Sequence, residues 1–209
     1  MEKVSVIMAS YLGNYPNRCS DPEKKFLRAV RSFLSQTYEN KELIIVSDGC
    51  DMTEILYQRF FSKEKNIKFI KIPKQVIYSG ECRNAAFDLA EGEIISYLDN
   101  DDVIGKKHLE IIMEEFTDDV DLVYYDDFLV QSSDFKKLYR RNNFLGYGSI
   151  GTSSITHRNN NWLRWESGYG HDFIFIMRAI INGMRFKKLE TSSQYLVAHY
   201  GSGVNRGDF

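Results

Sequence analysis

The chain is poor in several things. Three prolines in 209 residues leave few fixed chain breaks outside the glycines. Three cysteines, Cys19, Cys50 and Cys82, are an odd number with no Cys-x-x-Cys spacing. Neither a disulfide framework nor a zinc knuckle is suggested, and a reducing cytoplasm is the expected compartment. Nowhere do about 18 apolar residues run together, and the opening MEKVSVIMASYLGN lacks the apolar core of a signal peptide. Neither a membrane span nor secretion by a visible signal is expected. Charge of one sign is missing too, since 27 Lys plus Arg against 29 Asp plus Glu give a net charge of -2. No bulk electrostatic term would hold a polyanion, so nucleic acid is not expected as a partner. The charge is compatible with a homo-oligomer, and with peripheral attachment to a membrane through basic and aromatic surface.

What is present is an aromatic-rich chain, with 14 Phe, 13 Tyr and 43% hydrophobic residues, enough for one compact core and too little for two. The first half alternates apolar runs with amphipathic segments. Residues 4–9, 43–46, 67–72 and 94–98 read as strands, the first, second and fourth as nearly continuous apolar runs buried on both faces. Helices are expected after Ser20-Asp21-Pro22-Glu23, where a capping side chain, a proline and an acid agree, and over residues 55–61, 79–91 (closed by Gly92) and 107–116. Residues 122–129 read as a fifth strand. Strand–helix alternation at this spacing predicts right-handed βαβ units and a mainly parallel sheet with helices on both sides.

Beyond residue 135 the pattern loosens. A basic run over 136–141 and a Gly/Ser stretch over 146–151 precede one clear helix, 173–181, and two short strand candidates, 184–189 and 195–199. The expectation is one domain, with residues 1–105 facing a nucleotide and 106–209 facing a second substrate.

In an open parallel sheet, ligands bind beyond the carboxyl ends of the strands. Ser10 and Tyr11 follow the first strand, Ser47, Asp48 and Gly49 the second, and Asp99-Asn100-Asp101-Asp102 the fourth. Three carboxylates in four residues repel one another, and a divalent cation relieves that repulsion. Mg²⁺ or Mn²⁺, held by one or two carboxylates plus substrate phosphates, suits the spacing. A polar turn capping the next helix is the alternative.

The runs VSVIMASY, RAVRSFLSQTYENKELIIVSDGCDMT and SGECRNAAFDLAEGEIISYLDNDD, in this order and spacing, resemble the nucleotide-binding half of family 2 glycosyltransferases. The resemblance implies a GT-A fold, a Rossmann-like mainly parallel sheet. It also implies inverting, metal-dependent transfer of a sugar, hexosyl in type, from a nucleoside diphosphate, by preference UDP. The acceptor would be a hydroxyl of a carbohydrate or glycoconjugate, as in polysaccharide biosynthesis. By resemblance Ser10 and Tyr11 cradle the base, and Asp48 contacts base or ribose. Where the family usually has a second acid, this chain has Ser47. Arg83, of the Arg83-Asn84 pair, would approach the base or diphosphate. Asp99 would touch ribose and metal, Asp101 would coordinate the metal with His199 as a further ligand, and Asp102 would stand behind them or face the acceptor. Asn14, Asn17 and Arg18 are candidates for added nucleotide contacts.

In the second half the resemblance assigns Asp172, in His171-Asp172-Phe173 with Arg178 beyond, as general base. A sugar hydroxyl is a poor nucleophile near neutral pH and needs a carboxylate to take its proton. Asp172 could equally cap the helix that follows. Trp162, Trp165 and Tyr169 lie in the polar loop before it, and such aromatic faces can stack on a sugar acceptor. The Trp side chains could instead anchor that loop to the core. His108 and His157 read as structural or exposed. Two rival functions stand beside transfer: a non-catalytic nucleotide-sugar-binding module, suggested by the short second half and SDGC, and a nucleotidyltransferase. The latter usually needs a basic Gly-rich loop, which ASYLGNYPNR does not resemble.

Overall fold

The computed structural model describes residues 1–16, 18–76, 80–132 and 134–199. The first half builds β1 (Val4–Ser10), α1 (Pro22–Leu34), β2 (Lys41–Asp48), α2 (Asp51–Phe60), β3 (Ile67–Ile72), α3 (Glu81–Phe87) and β4 (Ile94–Tyr97). There follow β5 (Val103–Ile104), α4 (His108–Met113), β6 (Leu122–Tyr124), β7 (Asp127–Val130), β8 (Leu138–Arg141) and a 3₁₀ turn, Thr152–Ser154. The chain closes with β9 (Ile155–Arg158), α5 (His171–Ile181), β10 (Phe186–Lys188) and β11 (Tyr195–Val197).

A seven-stranded sheet in the order β10-β6-β9-β4-β1-β2-β3 carries the fold, mostly parallel as its apolar runs predict. Strands β1, β2, β3 and β4 pair in parallel, and only β9 runs against its neighbours β4 and β6. The β1 and β2 side chains are buried on both faces because helices cover both. One cluster packs Phe26, Val30 and Phe33 of α1 on Val6, Met8 and Ile45. The opposite cluster sets Ala86 of α3 and Phe175 of α5 against Ile7, Ile44 and Tyr97. A smaller sheet, β5-β11-β7-β8, stands beside it.

Several expectations change. The run 122–129 is two strands in different sheets, because the chain leaves the large sheet after Tyr124 and enters the small one at Asp127. Strand β9, without a long apolar run, fills the gap between β4 and β6. Strands β6, β9 and β10 thus complete the main sheet. Asp21 is left-handed, at φ 50°, and makes no capping bond, so α1 is opened by Pro22 alone. Helix α3 stops at Phe87. Gly92 instead lets β1 approach, since a Cβ there would lie 2.6 Å from the Ser5 nitrogen.

Candidate active site

The carboxyl ends of β1, β2 and β4 form one rim. At the end of β2, Asp48 accepts from Lys74 Nζ and from the Gln75 backbone nitrogen, each at 2.6 Å. Lys74 Nζ also lies 4.5 Å from the Tyr11 ring centroid, so the three residues bound one polar-aromatic corner. Gly49 makes the turn possible: φ is 64° and a Cβ would sit 2.7 Å from the Lys74 nitrogen. Ser47 does not replace the missing acid. Its hydroxyl turns inward, donating to the Cys50 carbonyl at 2.9 Å and accepting from the Cys50 nitrogen at 3.1 Å.

Ser10, expected to cradle the base, is turned toward its neighbours. It is 1% exposed, and its hydroxyl lies 3.2 Å from Thr53 Oγ1 and accepts from Asn100 Nδ2 at 3.2 Å. Of the added loop candidates, Asn14 accepts from Arg18 at 2.7 Å, and Asn17 lies outside the described residues.

Beyond β4, Asp99 is open to solvent on one side. Its Oδ1 lies 3.4 Å from Arg83, and its Oδ2 accepts from Thr152 Oγ1 at 3.1 Å. The Tyr195 hydroxyl accepts from the Asp99 nitrogen at 3.1 Å. Asp101 is 3% exposed, with Oδ2 2.6 Å from His199 Nδ1. Asp102 faces inward and accepts from the Ala198 nitrogen at 2.8 Å. Burial alone would raise Asp101, but the contact and charge of His199, then the charge of Lys25, hold it below the usual carboxylate range. Burial, then the neighbouring Asp101 charge, drives Asp102 far up. For His199 burial works against the charged form, yet Asp101, then Asp102 and Asp99, push it up to about 9.

These groups fit a divalent cation in one respect and not in another. His199 Nδ1 faces an Asp101 carboxylate oxygen at 2.6 Å, an N/O donor pair suited to Mn²⁺. Asp99, however, is engaged by Arg83 and Thr152. Among the described residues no three His, Cys, Asp or Glu side chains converge to hold an ion. Residues 200–203 lie outside the described residues.

The second half meets this rim through the 3₁₀ turn. Thr152 reaches Asp99, and a side-chain carbon at Gly151 would lie 3.9 Å from Asp172 Oδ2. Asp172 is in the first turn of α5 but does not cap it, since the helix starts at His171 and Gly170 holds the cap position with φ 83°. His171 Nε2 lies 3.2 Å from Asp172 Oδ1. Burial would lower His171, but the contact with Asp172 and its charge raise it above its ordinary value. Arg178 faces Glu166 instead.

The aromatic candidates separate. Trp165 is 3% exposed, stacks on Phe175 with centroids 4.0 Å apart, and donates from Nε1 to the Tyr97 hydroxyl at 3.1 Å. It is a core anchor, with no face left for an acceptor. Asn84 clamps its backbone by two bonds of 2.9 Å. Arg158 of β9 pairs with Ile94, and Asn159 bonds Glu93 and Gly92, so the loop bearing Trp162 leaves the sheet at the amino-terminal end of β4. The Trp162 nitrogen is tied to Asn160 there, at the edge away from Asp99. Tyr169 is 80% exposed and edge-on to Tyr147 at 6.5 Å.

Sequence reasoning missed Lys74, Gln75 and Thr152. None falls in a periodic run, and each reaches the site only through a loop.

The chain spans less than two thirds of the length of the relatives it matches. A glycosyltransferase of Methanocaldococcus jannaschii, described as uncharacterized, is 33% identical over 125 residues, 58% of this chain and 40% of that protein. Chondroitin synthase of Escherichia coli is 32% identical over 100 residues, 47% and 14% of the two chains. Among solved structures, S. aureus TarS 1-349 in complex with UDP-GlcNAc superposes with a TM-score of 0.70 at 20% identity, covering 93% of this chain and 58% of that one. The mannosyltransferase PcManGT from Pyrobaculum calidifontis, in complex with GDP-Man and Mn2+, gives 0.65 at 15% identity, covering 94% and 57%. These two likenesses establish the fold, a GT-A type sheet. The Glycosyl transferase family 2 pattern matches residues 5–184, and the chain belongs to that family.

Proposed function

We propose that this chain transfers a hexosyl group from a nucleoside diphosphate sugar to a hydroxyl of a carbohydrate or glycoconjugate, with inversion and with a divalent metal. One observation carries the reading: the short segment Gly151-Thr152 has Asp99 against one residue and Asp172 against the other. A donor-side carboxylate and a second carboxylate thus flank one segment.

In this scheme Tyr11 offers its ring to the base, and Asp48, fixed by Lys74 and Gln75, accepts from base or ribose. Arg83 lies beside Asp99 and supplies positive charge toward the diphosphate. Asp101 and His199 would hold Mn²⁺ or Mg²⁺, with diphosphate oxygens and water completing the shell. When bound, the cation neutralises charge growing on the departing diphosphate. Asp172 takes the acceptor proton as its oxygen attacks the anomeric carbon from the face opposite the leaving group, and a single displacement inverts that carbon. His171 holds the Asp172 carboxylate in place, and Tyr169 offers the acceptor an aromatic face. The donors bound in the relatives, UDP-GlcNAc in TarS and GDP-Man in PcManGT, are the first to try.

The test is a thermal-shift and turnover screen of UDP, GDP, CDP and dTDP sugars with Mn²⁺. A nucleotide sugar that stabilises the protein and is consumed in the presence of an acceptor is the expected result. Stabilisation without consumption under any acceptor would leave a binding module, and no stabilisation would overturn the reading.

A further inference from the structure

Asp101 and His199 come from segments far apart in the chain, and neither is in a strand. Strand β11 ends at Val197, the last residue paired with β7, so the backbone at Ala198 and His199 has left its ladder. Something else must fix it. The Ala198 nitrogen donates to Asp102 Oδ1 at 2.8 Å, and the Ala198 carbonyl accepts from Arg28 at 3.5 Å. The same Arg28 nitrogen donates to the Asp101 carbonyl at 2.6 Å.

We infer that Arg28 of α1 is a positioning residue for the metal-bearing pair: one guanidinium nitrogen gathers the peptides beside Asp101 and His199, and Asp102 completes the clip. The inference rests on the metal reading above. Its chemistry is specific. Arg28 spends these bonds on main-chain carbonyls, which leaves the Asp101 carboxylate to face His199 and a cation. Both bonds leave the same guanidinium nitrogen, whose two N–H groups can each serve one carbonyl. The ring of Phe135 lies 5.0 Å from the Arg28 guanidinium carbon and offers its face to that cation. Phe135 does this at φ 61°, a conformation costly for a bulky side chain and maintained only where the surroundings enforce it.

Residues that orient a metal ligand typically change affinity by about 10–100-fold when removed. The experiment is calorimetry of Mn²⁺ binding to the UDP-saturated protein, with UDP binding in the absence of metal as a second readout. Four proteins are compared: wild type, Arg28→Met, His199→Ala and the double variant. Arg28→Met is expected to weaken Mn²⁺ by roughly tenfold and to leave metal-free UDP binding unchanged, with Arg28→Lys in between. In the His199→Ala background the same substitution should cost less than about twofold, because the residue through which it acts is gone. Equal costs in both backgrounds would make Arg28 a general tie of the fold and overturn the inference. So would wild-type Mn²⁺ affinity in a folded Arg28→Met or, should that variant not fold, in Arg28→Lys. A wild type with no Mn²⁺ binding, or with Mn²⁺ affinity unaffected by His199→Ala, would instead overturn the metal reading, and the inference with it.

Discussion

The guanidinium carbon of Arg83 lies 5.1 Å from the ring centroid of Trp165, while Arg83 also stands 3.4 Å from Asp99. A buried indole therefore seats a cation beside the donor-side carboxylate. Trp165→Ala should lower folding stability by about 3–5 kcal/mol and unseat Arg83. Trp165→Phe keeps an aromatic partner for Phe175 and loses only the bond to Tyr97, so it should cost about 1–2 kcal/mol. Urea unfolding measures both. A rise in acceptor KM with unchanged stability would restore Trp165 to the acceptor site.

Asp172→Asn removes the proposed base and keeps its shape. The transfer rate should fall by roughly 10²–10⁴-fold with donor affinity unchanged. Single-turnover kinetics beside calorimetry with UDP separate the two quantities. A full rate in the folded variant would assign the proton transfer elsewhere.

Asp48 fixes Lys74 and Gln75 by two 2.6 Å contacts. Asp48→Ala should therefore weaken UDP by about tenfold or more, since it removes a base or ribose acceptor and releases the Lys74 side chain. Titration of the variant with UDP checks this, and unchanged affinity would place the base elsewhere.

Asp101→Ala should abolish the Mn²⁺ dependence of UDP binding while retaining metal-free binding. Calorimetry with and without Mn²⁺ decides it. Persistence of the metal effect would remove Asp101 from the ligand set.

Two buried histidines predict the acid side of the stability curve. Burial pushes His108 and His157 down to about 4, against an ordinary value near 6.5. The unfolded chain binds their protons first, so stability falls as pH drops from about 6.5 toward 4, by up to about 3 kcal/mol for each. His171 and His199, both raised, act in the opposite sense. Their contribution is complete below the unfolded value and is lost as pH rises through the folded one. In His157 the hydrogen bonds show why the neutral form is kept. Trp165 Nε1 donates to the Tyr97 hydroxyl, Tyr97 donates to His157 Nε2 at 2.7 Å, and His157 Nδ1 donates to the Arg158 carbonyl at 2.8 Å. His157→Gln should flatten the slope of stability between pH 6.5 and 4.5 in urea titrations. An unchanged slope would mean that another group titrates there.

The sequence by itself determined the parallel half of the sheet and the rim residues that follow its strands. An apolar run buried on both faces has only one environment, and the residue after it must emerge at the carboxyl edge. That logic located Asp48, Asp99 and Asp101 before any coordinates. It could not determine which way a side chain turns once the strand has ended. Ser10 and Ser47 lie at the carboxyl ends of β1 and β2, yet both hydroxyls are consumed by neighbours inside the protein. The loop aromatics show the same limit. Trp162 and Trp165 are three residues apart, but β9 runs against the sheet and delivers one to the far edge and the other into the core. Only tertiary structure decided that, because the direction of β9, the reach of Thr152 to Asp99 and the grip of Arg28 on Asp101 and Ala198 are contacts between segments with no shared period.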